Sequence, residues 1–386
     1  FTNKYAEGYP GKRYYAGCEN ADEVENLAIS RGKKLFSSKH INVQPHSGSQ
    51  ANMAAYVSLL KPGDKILSLS LDHGGHLSHG HNVNFSGKIY EIHNYYLNRE
   101  SELLDYDQIN DIAEKVKPKL IICGYSAYSR IIDFNKFKSI SQKVDSLLMA
   151  DIAHIAGLVV SGKHPSPVGI ADIITSTTHK TLRGPRGGLA IIREDLSSKY
   201  DRGVFPAIQG GPLMNTILAK AAAFEEALSD NFIEYSQQII DNAKVLANLF
   251  LDRGLRLVSG GTDNHLMLID TRSIGINGDE AENKLNEVGI VVNKNAIPFD
   301  PMPPKITSGI RIGTPAITSR QISNDDLLKI GDVIVDCLST SSKNTSVFSK
   351  EVQKIMNEAK VGADYEKTKQ SNLDQVGKKE FSENVE

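Results

Sequence analysis

The chain has 386 residues, with 44 Lys and Arg against 46 Asp and Glu and a formal net charge of -2. That balance gives no global electrostatic ground for binding nucleic acid or an anionic membrane. With 40% hydrophobic and 23% charged residues, the composition is that of a soluble globular protein of roughly two to three domains. The three cysteines, Cys18, Cys123 and Cys337, are odd in number and widely spaced. They form neither a disulfide framework nor a thiolate zinc motif, so a reducing compartment and a cytoplasmic location are expected. No run is long and apolar enough for a membrane helix. The opening FTNKYAEGYPGKRYY lacks the apolar core of a signal peptide. A first residue of Phe rather than Met suggests a trimmed or truncated start.

In chain order, apolar spacing predicts a helix over 21–37 and a short strand over 41–43. The polar loop QPHSGSQ follows, then a helix over 51–60 that ends at Lys61-Pro62-Gly63. Strands are expected at KILSLS, KIYEIH, KLIICGYS, SLLMAD and ADIITSTT, and helices at YDQINDIAEKVK and NKFKSISQKV. Short apolar strands separated by amphipathic helices imply an α/β fold with a mostly parallel sheet. From about residue 213 two long helices lead into a smaller mixed region, with strands at LRLVS, HLMLIDT and GIRIG. The expected organisation is a large domain over 1–227, a smaller α/β domain over 228–360 and a polar, disordered tail over 361–386.

Six segments carry chemistry. TSTTHKTLRGPRGG places Lys180 in a glycine-rich loop after a strand, which suits either a carbonyl-reactive lysine or an ordinary solvated one. MADIAHIAG ends an apolar strand at Asp151, where open α/β sheets bind ligands; the carboxylate suits either keeping a pyridinium nitrogen protonated or capping the segment after it. QPHSGSQAN offers backbone N–H groups at a helix N-terminus, as a phosphate cradle or a simple capped turn. LDHGGHLSHGH holds four histidines, open to metal binding, to stacking on an aromatic cofactor, or to solvent. Arg311, inside the apolar strand GIRIG, suits capture of a carboxylate or a structural salt bridge. NKYAEGYPGKRYY packs four tyrosines, Glu7 and Arg13 into a loop that suits binding, with Glu7 open to an acid–base role.

In this order the segments resemble the serine hydroxymethyltransferase family, pyridoxal-phosphate enzymes of the aspartate-aminotransferase-like fold (fold type I). The resemblance spans nearly all of residues 2–340. It rests on TNKYAEGYPGKRYY, NVQPHSGSQAN, LDHGGHLSHG, DIAHIAGLV, TTHKTLRGPRGG, QGGPL, GGTDNHL and TSGIRIGTPAIT. It implies conversion of serine and tetrahydrofolate to glycine and methylenetetrahydrofolate, through a Schiff base on Lys180. Asp151 is then the partner of the pyridine nitrogen, His76 the stacking ring, and Ser126 and His154 the neighbours of the phenolic oxygen. Ser49 and Gly48 hold the phosphate, joined by Tyr5 and Gly211 from a neighbouring subunit. The resemblance also places Thr177 in the catalytic set and His179 beside the cofactor, with Arg186 bracing the lysine loop. Arg311 takes the substrate carboxylate, Tyr15 lies close to the substrate, and Glu7 moves protons. Tyr14, Leu71, Gly75, Leu77 and Asn295 line the tetrahydrofolate pocket.

The resemblance further implies a homodimer or dimer of dimers with shared sites, and no metal. Family members carry several dozen residues before TNKYAEG, including a substrate-binding serine, so this sequence reads as N-terminally truncated. Ala207-Ile208 stand where a glycine is usual. The competing readings are a folate-independent β-hydroxy amino acid aldolase, a catalytically impaired fragment, and a zinc hydrolase built on His73, His76 and His79.

Overall fold

The computed structural model describes residues 1–340 and 345–359; the tail expected at 361–386 lies outside the described residues. A short hairpin of β1 (Gly8–Tyr9) and β2 (Lys12–Arg13) precedes the helix Glu19–Phe36. A seven-stranded sheet then follows in sequence as β3 (Ile41–Asn42), β4 (Lys65–Leu69), β5 (Glu91–Tyr95), β6 (Leu120–Cys123), β7 (Leu147–Asp151), β8 (Ile173–Thr177) and β9 (Gly188–Ile192). Its spatial order is β3-β9-β8-β7-β6-β4-β5. The run from β5 to β8 is parallel, while β9 is antiparallel to both β8 and β3.

The interior strands are buried along their whole length, as in β6 and β8, so their sequences are continuous rather than alternating. The helices between them show one apolar face. Asp105 caps the helix Tyr106–Val116 by accepting from the Gln108 N–H, and Ile109 and Ala113, four residues apart, turn inward.

Two elements differ from the sequence reading. KIYEIH is not one strand: Asn84 accepts from the Ser86 N–H and starts a short helix, Phe85–Ile89, so β5 begins only at Glu91. GLAII after the glycine-rich loop is β9, a fully buried strand that the sequence reading did not assign.

The second sheet comprises β10 (Arg256–Leu257), β11 (Leu266–Asp270), β12 (Asn293–Asn295) and β13 (Gly309–Gly313), all antiparallel in the order β10-β11-β13-β12. The polar strand β12 was not expected. The helix Asp230–Asp252 joins the halves: Phe232 packs into the core under the large sheet, and Ala243 to Phe250 into the core under the small one.

In the large sheet the chain runs outward from β4 to β5, then returns to β6 on the other side of β4. That reversal opens a crevice between the carboxyl ends of β4 and β6, the usual ligand position in such sheets. Here the Ser126 N–H donates to the Gly74 carbonyl at 2.8 Å. Gly74 has φ +107°, and a Cβ on it would sit 2.8 Å from the Ala127 oxygen, so glycine is needed for this crossing.

Candidate active site

A cavity of about 240 Å³ lies at the carboxyl ends of the parallel strands, lined among others by Gly48, Ser49, His76, Ser126, Asp151 and His154, with Lys180 at its edge. Asp151 is the last residue of β7. Its Oδ2 accepts from Asn52 Nδ2 at 2.9 Å and His79 Nε2 at 2.8 Å, and its Oδ1 from the Ala153 N–H at 3.1 Å. Burial alone raises a carboxyl pKa. Here the hydrogen bond and charge of His79, with Asn52, outweigh it and hold Asp151 below the usual carboxylate range. The helix cap considered from sequence is not formed: the next helix, Ala156–Val160, has its N-cap at Ile155, and the Ala153 contact only closes a turn.

The helix Gly48–Leu59 delivers three groups from one face. Ser47 caps it through the Gln50 N–H, and Gly48 opens it against the end of β8. A Cβ at 48 would lie 2.7 Å from Thr177 Cγ2, so backbone alone fits there. One turn on, Asn52 binds Asp151, Ser78 Oγ at 2.9 Å and Thr175 Oγ1 at 2.6 Å. Another turn on, Tyr56 donates to the Ser78 carbonyl at 2.7 Å. Ser49, beside Gly48, is exposed at the cavity.

Lys180 follows β8 in a loop pinned at its base. Thr178 N–H donates to the Gly187 carbonyl, Gly184 N–H to the Thr178 carbonyl, and Thr178 Oγ1 to the Pro185 carbonyl. Thr181 Oγ1 donates to the His154 carbonyl at 2.8 Å. Burial lowers the Lys180 pKa, Asp151 opposes, and Arg311 and Arg186 add to the lowering. Arg186 is exposed at the cavity rim, and Thr178 rather than Arg186 braces the loop. Thr177 Oγ1 donates to the Ala153 carbonyl, and His179 Nδ1 accepts from the Gly187 N–H.

The histidines divide by position. His76 lines the cavity, with Nδ1 held 2.7 Å from Ser78 Oγ; burial and the neighbouring His79 push its pKa down to about 4. His154 is pushed well below its ordinary value by burial and by Lys180, and its ring stacks on His265 with centroids 5.7 Å apart. Burial and Arg311 take His265 down to about 3. His73 packs against Phe299 and Tyr96 instead of joining His76 and His79. Among the described residues, no three His, Cys, Asp or Glu side chains are placed to hold a metal ion.

Arg311 sits in the middle of β13, opposite Leu268 on one side and Asn293 on the other. Nη1 donates to the Ser126 carbonyl at 2.8 Å and Nη2 to Asn293 Oδ1 at 3.3 Å. Among the described residues no carboxylate pairs with it, so the structural salt bridge considered from sequence is not formed. Burial lowers its pKa.

The N-terminal residues do not reach this cavity in their own chain. Glu7 lies against Gly210 and Gly211: a Cβ on either glycine would be 3.7 Å from Glu7 Oε1 or 3.9 Å from its Cγ. Tyr5, Tyr14 and Tyr15 form an exposed ring cluster, with centroids 5.8 Å apart for Tyr5–Tyr15 and 5.1 Å for Tyr14–Tyr15. Leu71, Gly75 and Leu77 share the loop of His76, and Asn295 lies on β12 with its Nδ2 on the Ala296 carbonyl.

Sequence reasoning assigned no role to Asn52 or His265, and considered His79 only as a zinc ligand. Asn52 and His79 stood inside quoted motifs, four residues after Gly48 and three after His76, but only the fold brings them to Asp151.

A half-buried lysine, a fixed carboxylate, a helix N-terminus and neutral imidazoles meet at the strand ends of an α/β enzyme of fold type I. The residues fit pyridoxal phosphate: Asp151 supplies the fixed negative charge, Gly48 leaves helix N–H groups open to a phosphate, and Lys180 Nζ has no hydrogen-bond partner among the described residues. Residues 1–334 match the family described as serine hydroxymethyltransferase. A serine hydroxymethyltransferase of Nostoc sp. is 56% identical over 345 residues, 89% of this chain and 81% of that protein. Serine hydroxymethyltransferase 1 of Pseudomonas fluorescens is 56% identical over 337 residues, 87% of this chain and 82% of its own. The chain belongs to the serine hydroxymethyltransferase family. It is a pyridoxal-phosphate-dependent one-carbon transferase that interconverts serine and glycine, with tetrahydrofolate as co-substrate.

Proposed function

We propose that Lys180 is the lysine through which this enzyme holds its cofactor and that Arg311 receives the amino acid. When bound, pyridoxal phosphate supplies an electron sink that makes bonds at an amino acid's α-carbon breakable. Lys180, its ammonium disfavoured by burial, would hold the group through its amine. Asp151, kept ionised by His79 and Asn52, keeps the ring nitrogen protonated. His76 covers the ring, and neutral His154 and Ser126 serve the phenolic oxygen. Gly48 and Ser49 bind the phosphate at the helix N-terminus. Arg311, already oriented by Ser126 and Asn293, takes the carboxylate. Thr177 and His179 complete the walls at the lysine loop.

Glu7, Tyr5 and Gly211 serve a neighbouring copy's site in a homodimer or a dimer of dimers; Glu7 holds and releases the proton as the one-carbon unit moves, and Tyr15 approaches the substrate. Tyr14, Leu71, Gly75, Leu77 and Asn295 line the folate pocket. The large domain extends over 1–227 and the small one over 228–360, divided at the break between the helices Met214–Ala227 and Asp230–Asp252. The location is cytoplasmic: the three cysteines are buried free thiols, and among the described residues no helix is long and apolar enough to cross a membrane.

The observation that carries the site is Arg311, a half-buried cation without a carboxylate, beside the cavity that joins Lys180 to Asp151. Borohydride reduction of the protein loaded with pyridoxal phosphate, followed by peptide mapping, is expected to label Lys180. A label on another lysine overturns the assignment. Serine cleavage that tetrahydrofolate does not accelerate would point instead to an aldolase.

A further inference from the structure

Lys220 is buried to 1% exposure midway along the helix Met214–Ala227. Its Nζ donates to three carbonyls: Val43 at 2.6 Å, Gly188 at 2.7 Å and Pro45 at 3.1 Å. Val43 and Pro45 belong to the segment that leaves β3 and leads into Ser47 and Gly48. Gly188 is the first residue of β9, where the loop carrying Lys180 rejoins the sheet opposite Thr177. The same two segments touch directly, since Gly188 N–H donates to the Pro45 carbonyl at 2.9 Å. One side chain therefore ties the entrance of the helix N-terminus to the base of the lysine loop.

The charge state follows from counting donors. Three carbonyl acceptors require three N–H groups, and only the ammonium has them. Burial acts the other way and pushes the Lys220 pKa down to about 7, with Glu25 favouring the charge. The carbonyls of Val43 and Pro45 lie in the core beyond the last paired residue of β3, so without this lysine they lose a buried partner. The loop is shaped around the lysine as well. A Cβ at Gly187 would lie 2.5 Å from Lys220 Cε and 3.0 Å from Nζ, so the glycine admits the stem.

We propose that Lys220 is a positioning residue for the cofactor phosphate, holding the Gly48 helix entrance in register with the Lys180 loop. This rests on the reading that Gly48 and Ser49 bind that phosphate. The distinguishing probe is pyridoxal, which has the ring and aldehyde but no phosphate. Apoenzyme is titrated with pyridoxal phosphate and with pyridoxal, in wild type and in Lys220→Met, which keeps the stem and removes the donors.

The expected result is a pyridoxal phosphate Kd raised about tenfold or more, with the pyridoxal Kd changed less than about twofold. Equal weakening of both ligands makes Lys220 a core residue only and overturns the inference, as does no weakening of either. If Lys220→Met does not fold, Lys220→Gln, with two N–H donors on a shorter stem, is read by the same criterion. Failure of the underlying reading looks different: wild type itself then binds pyridoxal phosphate no more tightly than pyridoxal.

Discussion

The cavity at the strand ends and the N-terminal segment are both rich in aromatic and charged side chains, yet they are finished differently. In the cavity the groups behind Lys180 have their partners in the same chain: Asp151 has His79 and Asn52, and Asn52 has Thr175. In the N-terminal segment Arg13 is so provided, with Asp22 and Glu25 at 2.7 Å each and the Ala6 and Gly8 carbonyls, and Tyr9 donates to the Asp201 carbonyl. Around that anchor Tyr5 is 68% exposed and Tyr14 79% exposed. Leaving such rings in water forgoes about 1.5–3 kcal/mol of burial each. The first region finds its partners within one chain; the second leaves its rings exposed in that chain.

The largest test breaks the first region alone. Lys180→Ala should lower kcat on the order of 10³-fold or more, because no other amine shares the cavity. The same variant then sharpens the comparison. Mixed in equal amounts with Glu7→Ala, it should regain activity, since a mixed dimer has one site with both Lys180 and Glu7 intact. Random pairing gives about a quarter of wild-type turnover. No recovery, with each variant forming dimers, would mean that Glu7 acts in its own chain.

Next in size is Arg311→Lys. A lysine keeps the charge but loses the two-pronged geometry, and its single ammonium cannot hold Ser126 and Asn293 while also grasping a carboxylate. The KM for serine should rise about 10–100-fold with a smaller change in kcat. A fall confined to kcat would place Arg311 elsewhere in the reaction.

His79→Asn tests the wiring beneath Asp151. In wild type the carboxyl pKa lies below its ordinary value, so the charge is lost only as pH falls through that depressed value. Without the His79 hydrogen bond, burial is less opposed and the pKa rises. The acid limb of the kcat profile should therefore move to higher pH, with the loss growing as pH falls and vanishing in base. A uniform loss at every pH would separate His79 from the ionisation of Asp151.

These residues also mark how far the sequence could be read. The parallel sheet was legible because β6, β7 and β8 are short apolar runs spaced by amphipathic helices. Lys180, Asp151 and Gly48 were legible because each stands where a strand gives way to a loop or a helix. His79, Asn52 and Lys220 were not, since their partners are 72, 99 and up to 177 residues away in the chain. No local spacing encodes such pairs; the order of strands in the sheet creates them. β9 was missed although it is an apolar run of the same kind as β6 and β8, because it follows directly on the glycine-rich loop.

The smallest effect belongs to Ser47, which separates capping from ligand binding. Its Oγ accepts from the Gln50 N–H at 3.2 Å and donates to Gln50 Oε1 at 3.1 Å, so the hydroxyl is already engaged as a helix cap. Ser47→Ala should cost about 1 kcal/mol in urea unfolding of the apoenzyme. Fraying of the first turn would loosen the N–H groups at Gly48 and Ser49, so the pyridoxal phosphate Kd should rise by no more than about fivefold. The two losses should match in free energy, because one frayed turn causes both. A Kd raised a hundredfold with unchanged unfolding would give Ser47 its own bond to the phosphate and move the cradle one residue towards β3.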